Sequence, residues 1–183
     1  MEYLILGSLF LLPVFYVLIQ YNGLIALQNH IRESWSDVDT ELKRRHDLIP
    51  NLVATVKGYA AHEQAVLGRL AELRSQSQSL HDPAKLGPVE QEIGRQVQRV
   101  LAVVENYPQL KADAHFLSLQ KELANTEDRI QAARRFYNAN VRDYLNKCQM
   151  FPSSLVAALF RFAPEAYFSA EPAARETPSV RLD

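Results

Sequence analysis

One cysteine, Cys148, stands in 183 residues. A lone thiol closes no intramolecular disulfide and supplies no Cys-rich zinc or iron–sulfur site. Glycine and proline are sparse, six and nine. Few chain-breakers over this length favour long helices and disfavour an all-β fold rich in tight turns. An excess of either charge is missing too: Lys and Arg number 20, Asp and Glu 21, for a formal net of −1. The chain thus lacks the broad basic footprint from which nucleic-acid binders draw affinity, and no nucleic-acid partner is expected. It is equally unlike an acidic disordered chain. With 48% hydrophobic residues it can fill a core, and its length fits one domain or one domain plus an anchor.

Motifs for chemistry are also missing. No two of His30, His46, His62, His81 and His115 lie three or four residues apart. His62-Glu63 lacks the second histidine of a zincin, and no Glu-x-x-His pair of the di-iron type occurs. Asp37-Val38-Asp39 opens like a calcium loop but lacks its glycine and bidentate glutamate. There is no Gly-x-Ser-x-Gly, and the glycines at 7, 23, 58, 68, 87 and 94 are isolated, so no phosphate loop forms. Cys148, near Tyr144 and Met150, reads as a buried structural thiol. No enzymatic activity, catalytic residue, cofactor or metal is expected.

What the chain does have is a long apolar opening. From Tyr3 to Ile31 there is no Asp, Glu, Lys or Arg, and residues 3–19 read YLILGSLFLLPVFYVLI. At about 1.5 Å per residue, seventeen to twenty residues just cross a hydrocarbon layer of roughly 30 Å. Tyr3, Tyr16 and Tyr21 lie near its ends, as interfacial aromatics do. A cleaved signal peptide would want a basic start and a small-x-small site; Met1-Glu2 and Val17-Leu18-Ile19-Gln20-Tyr21 supply neither. An uncleaved anchor over residues 1–22, meeting lipid through 3–20, is the expectation. Arg32, Lys43, Arg44 and Arg45 all follow it, so the bias puts the N-terminus outside and the rest on the cytoplasmic side.

Past the anchor the pattern is helical. Ile31, Trp35, Val38, Leu42, Arg45, Ile49, Leu52, Val56, Tyr59, Glu63, Val66, Leu70 and Leu73 recur at steps of four and three, a heptad seam. Pro50 should kink this helix while leaving it continuous, with a break there as the alternative. Residues 75–88 read as a polar turn. A second helix is expected over about 89–106, with a stripe of Val89, Ile93, Val97, Val100 and Val104. A third is expected over about 109–148, with Leu119, Leu123, Thr126, Ile130, Ala133, Tyr137, Val141, Tyr144 and Cys148. The first helix is too long for the second to cover, which predicts a stalk or pairing with another protomer.

The seam carries two charges, Arg45 and Glu63, within a polar cluster that includes Asp47, Asn51 and Lys57. Eighteen residues of straight helix, about 27 Å, keep Arg45 and Glu63 apart. Each needs a partner on another helix, such as Glu127, Arg134 or Asn140, or on another subunit. Three readings stand: buried contacts that fix bundle register, an oligomer or partner surface, and a ligand or proton-linked site. Near the C-terminus Leu155, Val156, Leu159, Phe160 and Phe162 either form a surface contact or pack on an end of the bundle.

Five stretches carry a resemblance: YNGLIAL (21–27), WSDVDTELKRRHDLIPNLVATVKGYAAHE (35–63), ENYPQLKA (105–112), FLSLQKELANTEDRIQAARRFYNANVRDY (116–144) and FPSSLVAALFRFAPEAYF (151–168). In order and spacing the chain resembles the LemA family of bacterial membrane proteins. The resemblance implies an N-terminal membrane segment followed by an all-α antiparallel bundle. It implies little about activity, because the family has no established biochemical function; some members are linked to membrane remodelling, an analogy only.

The expected protein is all-α: a transmembrane anchor (1–22), an antiparallel up-and-down bundle (23–162) of three long helices, four if the chain breaks at Pro50, and an extended tail (163–183). Its expected role is non-enzymatic assembly or interaction at the membrane, by self-association or with another membrane protein. The alternative is an adaptor or accessory subunit of a membrane enzyme such as a membrane protease.

Overall fold

The structure is a computed structural model that describes residues 2–60 and 62–168, with side chains described from residue 11. Among them every regular element is helical: α1 (Glu2–Lys57), α2 (Gln64–Gln78), α3 (Pro83–Val104), α4 (Pro108–Lys111), α5 (Ala114–Gln149) and α6 (Ser153–Leu159). The 56 residues of α1 span about 84 Å at the usual rise.

Pro50 neither ends α1 nor splits it. Its missing N–H releases the carbonyl of His46, four residues back. Arg74 on α2 donates its Nε to that carbonyl at 2.7 Å, so a neighbouring helix supplies the absent donor. The chain breaks eight residues later, at 58–63. Gly58 is a poor helix former, and the last turn closes with the Tyr59 and Ala60 amides both on the Val56 carbonyl, at 3.1 and 2.8 Å. Four bundle helices therefore arise: the first helix runs on through Pro50 as expected, and its expected continuation to Leu73 is corrected by the break at Gly58. The seam is corrected with it: Tyr59 is exposed, Glu63 lies half-buried just ahead of α2, and burial resumes at Leu67, Leu70 and Leu73.

The polar turn expected over 75–88 is only residues 79–82. Asp82 caps α3 by accepting from the Ala84 amide at 3.0 Å, with Pro83 at the first helical position, where a missing N–H leaves nothing unsatisfied. The third long helix starts at Ala114, not 109. Asp113 caps it by accepting from the Phe116 amide at 2.9 Å, and 108–111 form a separate single turn.

Helices α1 and α5 run antiparallel. Gln28 reaches Tyr144, Asn140 the His30 carbonyl, Arg129 reaches Glu41 and Arg44 Glu122, in reverse order along the two helices. The α2–α3 hairpin packs on the far part of α1. Two apolar clusters result. The distal one holds Ile49, Leu52 and Val56 with Leu67, Leu70, Leu73, Ile93, Val97, Val100, Leu110, Phe116 and Leu123. The proximal one holds Leu24, Ile31, Val38 and Leu42 with Leu86, Ile130, Tyr137, Val141, Tyr144, Val156 and Phe168. Tyr16, Val17 and Tyr21 already pack against the proximal cluster. The long first helix is thus covered almost from the end of its apolar opening, and the expected stalk is not present.

The expected tail also needs correction. Residues 163–168 are extended but bound to α5. Tyr144 and Tyr137 donate their hydroxyls to the Ala163 and Ala166 carbonyls, at 2.7 and 2.8 Å. The Asn138 amide clamps the Phe168 backbone, accepting from its N–H at 2.9 Å and donating to its carbonyl at 3.1 Å. Residues 169–183 lie outside the described residues, as do the side chains of 3–10.

Candidate functional site

The two apolar clusters are separated by one polar layer. On each long helix it falls between core residues seven apart: Leu42 and Ile49 on α1, Leu73 and Leu80 bracketing the end of α2, Leu86 and Ile93 on α3, Leu123 and Ile130 on α5. Inside that heptad the inward residues are Arg45 and His46, Ser77, Glu90, and Thr126 with Glu127. Arg45 and Glu90 are each only 2% exposed.

Glu90 is the hub. Its Oε2 accepts from Arg45 Nη2 and its Oε1 from the Ser77 hydroxyl. His46 Nε2 lies 2.9 Å from Oε1, which places a proton on that nitrogen. Arg45 Nη2 also donates to the Glu90 carbonyl at 3.0 Å, and Nη1 to Glu127 Oε2 at 2.7 Å. Burial alone would raise the Glu90 carboxyl. The hydrogen bond from His46, the Arg45 charge, the Ser77 hydrogen bond and the His46 charge together outweigh it and hold the group below the ordinary value of 4.5. An ionised carboxylate with donors on both oxygens, set against a guanidinium, is suited to fixing four helices, since sliding α1 by a heptad would leave buried charges unpaired.

Two recesses reach this layer. One, of about 420 Å³, opens between α3 and α5 over Arg45, Glu90 and Glu127, beside Arg95, Arg99 and Arg134. The other, of about 470 Å³, opens between α1 and the α2–α3 turn over His46, Ser77 and Glu90, beside Asp39, Lys43 and His81. Among the described residues no group of three His, Cys, Asp or Glu side chains is placed to hold a metal ion. Burial pushes the Cys148 thiol up, away from the thiolate that a nucleophile needs.

Of the residues singled out in sequence, Arg45 lies at the centre of the layer. Asn140 ties α5 to α1 at the His30 carbonyl, 3.2 Å away. Asp47, Asn51 and Lys57 are exposed on α1, and Glu63 is far from Arg45 in the turn; these are not brought together. Sequence reasoning passed over His46, Ser77 and Glu90. Glu90 is adjacent to Val89 in the α3 stripe, a position open to suspicion once Arg45 on the opposing seam needs a counter-charge. Of the apolar C-terminal piece, Val156 is buried; Leu155, Leu159 and Phe160 are exposed. Phe160 and Phe162 set their rings 4.8 and 5.6 Å from Tyr21.

One helix among the described residues is long and apolar enough to cross a membrane, and only 6% of its apolar window is buried within the molecule. Residues 34–182 match the LemA family. Protein LemA of Metamycoplasma hominis is 28% identical, covering 81% of this chain and 68% of its own length. Magnetosome protein MamQ of Magnetospirillum gryphiswaldense and Magnetosome protein MamQ 1 of Paramagnetospirillum magneticum are each 22% identical, covering 90% of this chain and 70% of theirs.

Proposed function

From the premise that the chain belongs to the LemA family, we propose that it is a non-enzymatic single-pass membrane protein whose bundle is an assembly or interaction module. The carrying observation is that one unbroken helix serves both parts. Leu11, Leu12, Phe15, Leu18 and Ile19 project outward from α1, while Leu24, Ile31, Val38 and Ile49 of the same helix line the bundle core. A bundle built on its own anchor is held at the bilayer with fixed orientation, which suits a scaffold. The basic residues after the span, Arg32 and Lys43 to Arg45, support a cytoplasmic bundle and an outward N-terminus in the inner membrane. The polar layer fits the same reading: both carboxylate oxygens of Glu90 take donors that belong to the fold, and its role is register.

The test is mass and partnership in native membranes. Full-length protein extracted in mild detergent, run on size exclusion with light scattering and captured after crosslinking, is expected as a multiple of the 20.8 kDa protomer. A stoichiometric complex with one different membrane protein would instead support the accessory-subunit alternative. A strictly monomeric species with no stoichiometric companion overturns the proposal.

A further inference from the structure

We infer that the corner joining α5 to α6, residues 150–160, seats in the headgroup layer of the membrane beside the exit of α1. This rests on the anchor reading above. The corner is the one place on the described bundle where large apolar side chains are exposed together. Met150, Phe151, Leu155, Leu159 and Phe160 are 48–80% exposed within eleven residues, whereas Tyr59, Leu117 and Phe136 are scattered singly. Scattered apolar residues need no explanation; a contiguous patch marks something that covers it.

Its position identifies the cover. Met150, Phe151 and Pro152 share a surface recess with Tyr16 and Gln20 of α1, and the Phe160 ring lies tilted against Tyr21. Tyr16 to Tyr21 is the end of the apolar run, so the patch continues the surface that the anchor presents to lipid. The opposite end of the bundle, at Lys57, lies about 54 Å further along α1.

The chemistry fits an interfacial element. Ser153, Val156 and Ala157 turn inward, leaving Leu155 and Leu159 outward. Two basic residues flank them. The Lys147 ammonium lies across Gly23 of α1, in the space that a Cβ would need there. Arg161 is exposed at the α6 C-terminus, where its left-handed backbone, φ 55°, lets the Phe162 amide close on the Ala157 carbonyl at 2.9 Å. Aromatics, leucines and flanking cations at one depth make an apolar face for the acyl boundary with charges for lipid phosphates.

Nitroxide labels test this in the full chain. Phe151→Cys, Leu155→Cys, Leu159→Cys, Leu117→Cys and Leu18→Cys are made singly in a Cys148→Ser background, labelled and reconstituted into vesicles of phosphatidylcholine and phosphatidylglycerol. Collision with oxygen, relative to a water-soluble nickel chelate, is expected to rise several-fold at 151, 155 and 159 over 117, and to be highest at 18. Water-like values at 155 and 159 with a lipid-like value at 18 overturn the inference and leave the anchor standing. Low access to both reagents at 155 and 159 means that protein covers the patch, a second copy of this chain if spin–spin broadening accompanies it, and overturns the inference as well. A water-like value at 18 brings down the anchor reading and this inference together.

Discussion

Beyond the polar layer four helices close around an interior that is almost wholly aliphatic, with Phe116 the one aromatic ring fully inside. On the side of the apolar opening α1 and α5 run on past all but the first turn of α3, and the interior there is rich in aromatics: Tyr137, Tyr144 and Phe168 are buried, with Tyr16, Tyr21, Trp35, Phe162 and Tyr167 packed against them. Two helices enclose no core by themselves. The third wall of the proximal half is α6 and the extended strap 163–168, neither of which brings a long apolar face. Large rings fill the volume that a helix would occupy, and the two tyrosine hydroxyls hold the strap by its carbonyls. Burial raises both phenols to about 12, so these hydroxyls stay donors across the physiological range. Helix-on-helix packing needs only the right periodicity, whereas packing a strap onto a helix pair needs named hydrogen bonds.

The polar layer where the halves meet carries the largest expected effect. Glu90→Leu leaves Arg45 with Glu127 and the carbonyl of residue 90 but without its buried counter-charge, and His46 and Ser77 without their carboxylate acceptor, so stability should fall by about 3–5 kcal/mol. Guanidinium unfolding of the full chain in mild detergent, followed by far-ultraviolet circular dichroism, measures it. Adding Arg45→Met should recover most of that loss, because an apolar replacement of both partners is often neutral. The pH dependence has a defined sign. The Glu90 carboxyl is lowered in the fold, so its contribution is complete above the ordinary value of 4.5 and is lost as pH falls from there through the depressed native value. The double variant should lose less stability than the native chain across that acid range; parallel acid curves would dissociate the layer from the effect.

The second break falls on the proximal half alone. Phe168→Ala removes the ring that ends the strap and should destabilise by about 3 kcal/mol. The comparison predicts where. Amide exchange should quicken in α6 and in α5 beyond Ile130, while the α2–α3 hairpin keeps its protection. Uniform loss of protection would mean that the two halves open as one unit.

How much of this contrast is legible in sequence follows from the same physics. The distal half is plain: Ile49, Leu52 and Val56 and the α3 stripe keep heptad spacing and are buried as the period requires. The proximal strap is not, because Ala-Pro-Glu-Ala-Tyr-Phe has no period, and its binding depends on Asn138, a residue with no apolar signature. The break at Gly58 is hidden because Tyr59 and Glu63 happen to continue the count of fours and threes. Pro50 is the opposite case, a chain-breaker inside a helix that runs on. Its local cost is offset by Arg74, a contact across 28 residues that no local rule anticipates. Arg45 announces itself as a charge on an apolar seam, but Glu90 and Ser77 sit in stretches whose polarity reads as surface or turn.

The Pro50 compensation sharpens the distal side of the comparison. Arg74→Ala leaves the His46 carbonyl without its donor and should cost about 1–2 kcal/mol. In a Pro50→Ala background the restored amide of residue 50 satisfies that carbonyl, and the same Arg74→Ala change should cost close to nothing. Equal costs in both backgrounds, in a double-mutant cycle read by denaturation, would show that Arg74 acts through something other than the carbonyl.

The smallest effect is a gain, and it separates the halves most finely. Gly68 lies within α2, and a Cβ there would find nothing within 4 Å, so an added methyl meets only solvent. Gly68→Ala should stabilise by about 0.5–1 kcal/mol through backbone entropy and helix propensity alone. Gly23 on α1 is the contrast: its Cβ would collide with the Lys147 ammonium, and the lysine must move before any gain is realised. If the halves are energetically distinct, Gly68→Ala slows exchange in α2 and α3 and leaves α6 and the strap contacts at Tyr137 and Tyr144 unchanged. Slower exchange in α6 as well would show that the layer around Glu90 couples what the two kinds of packing divide.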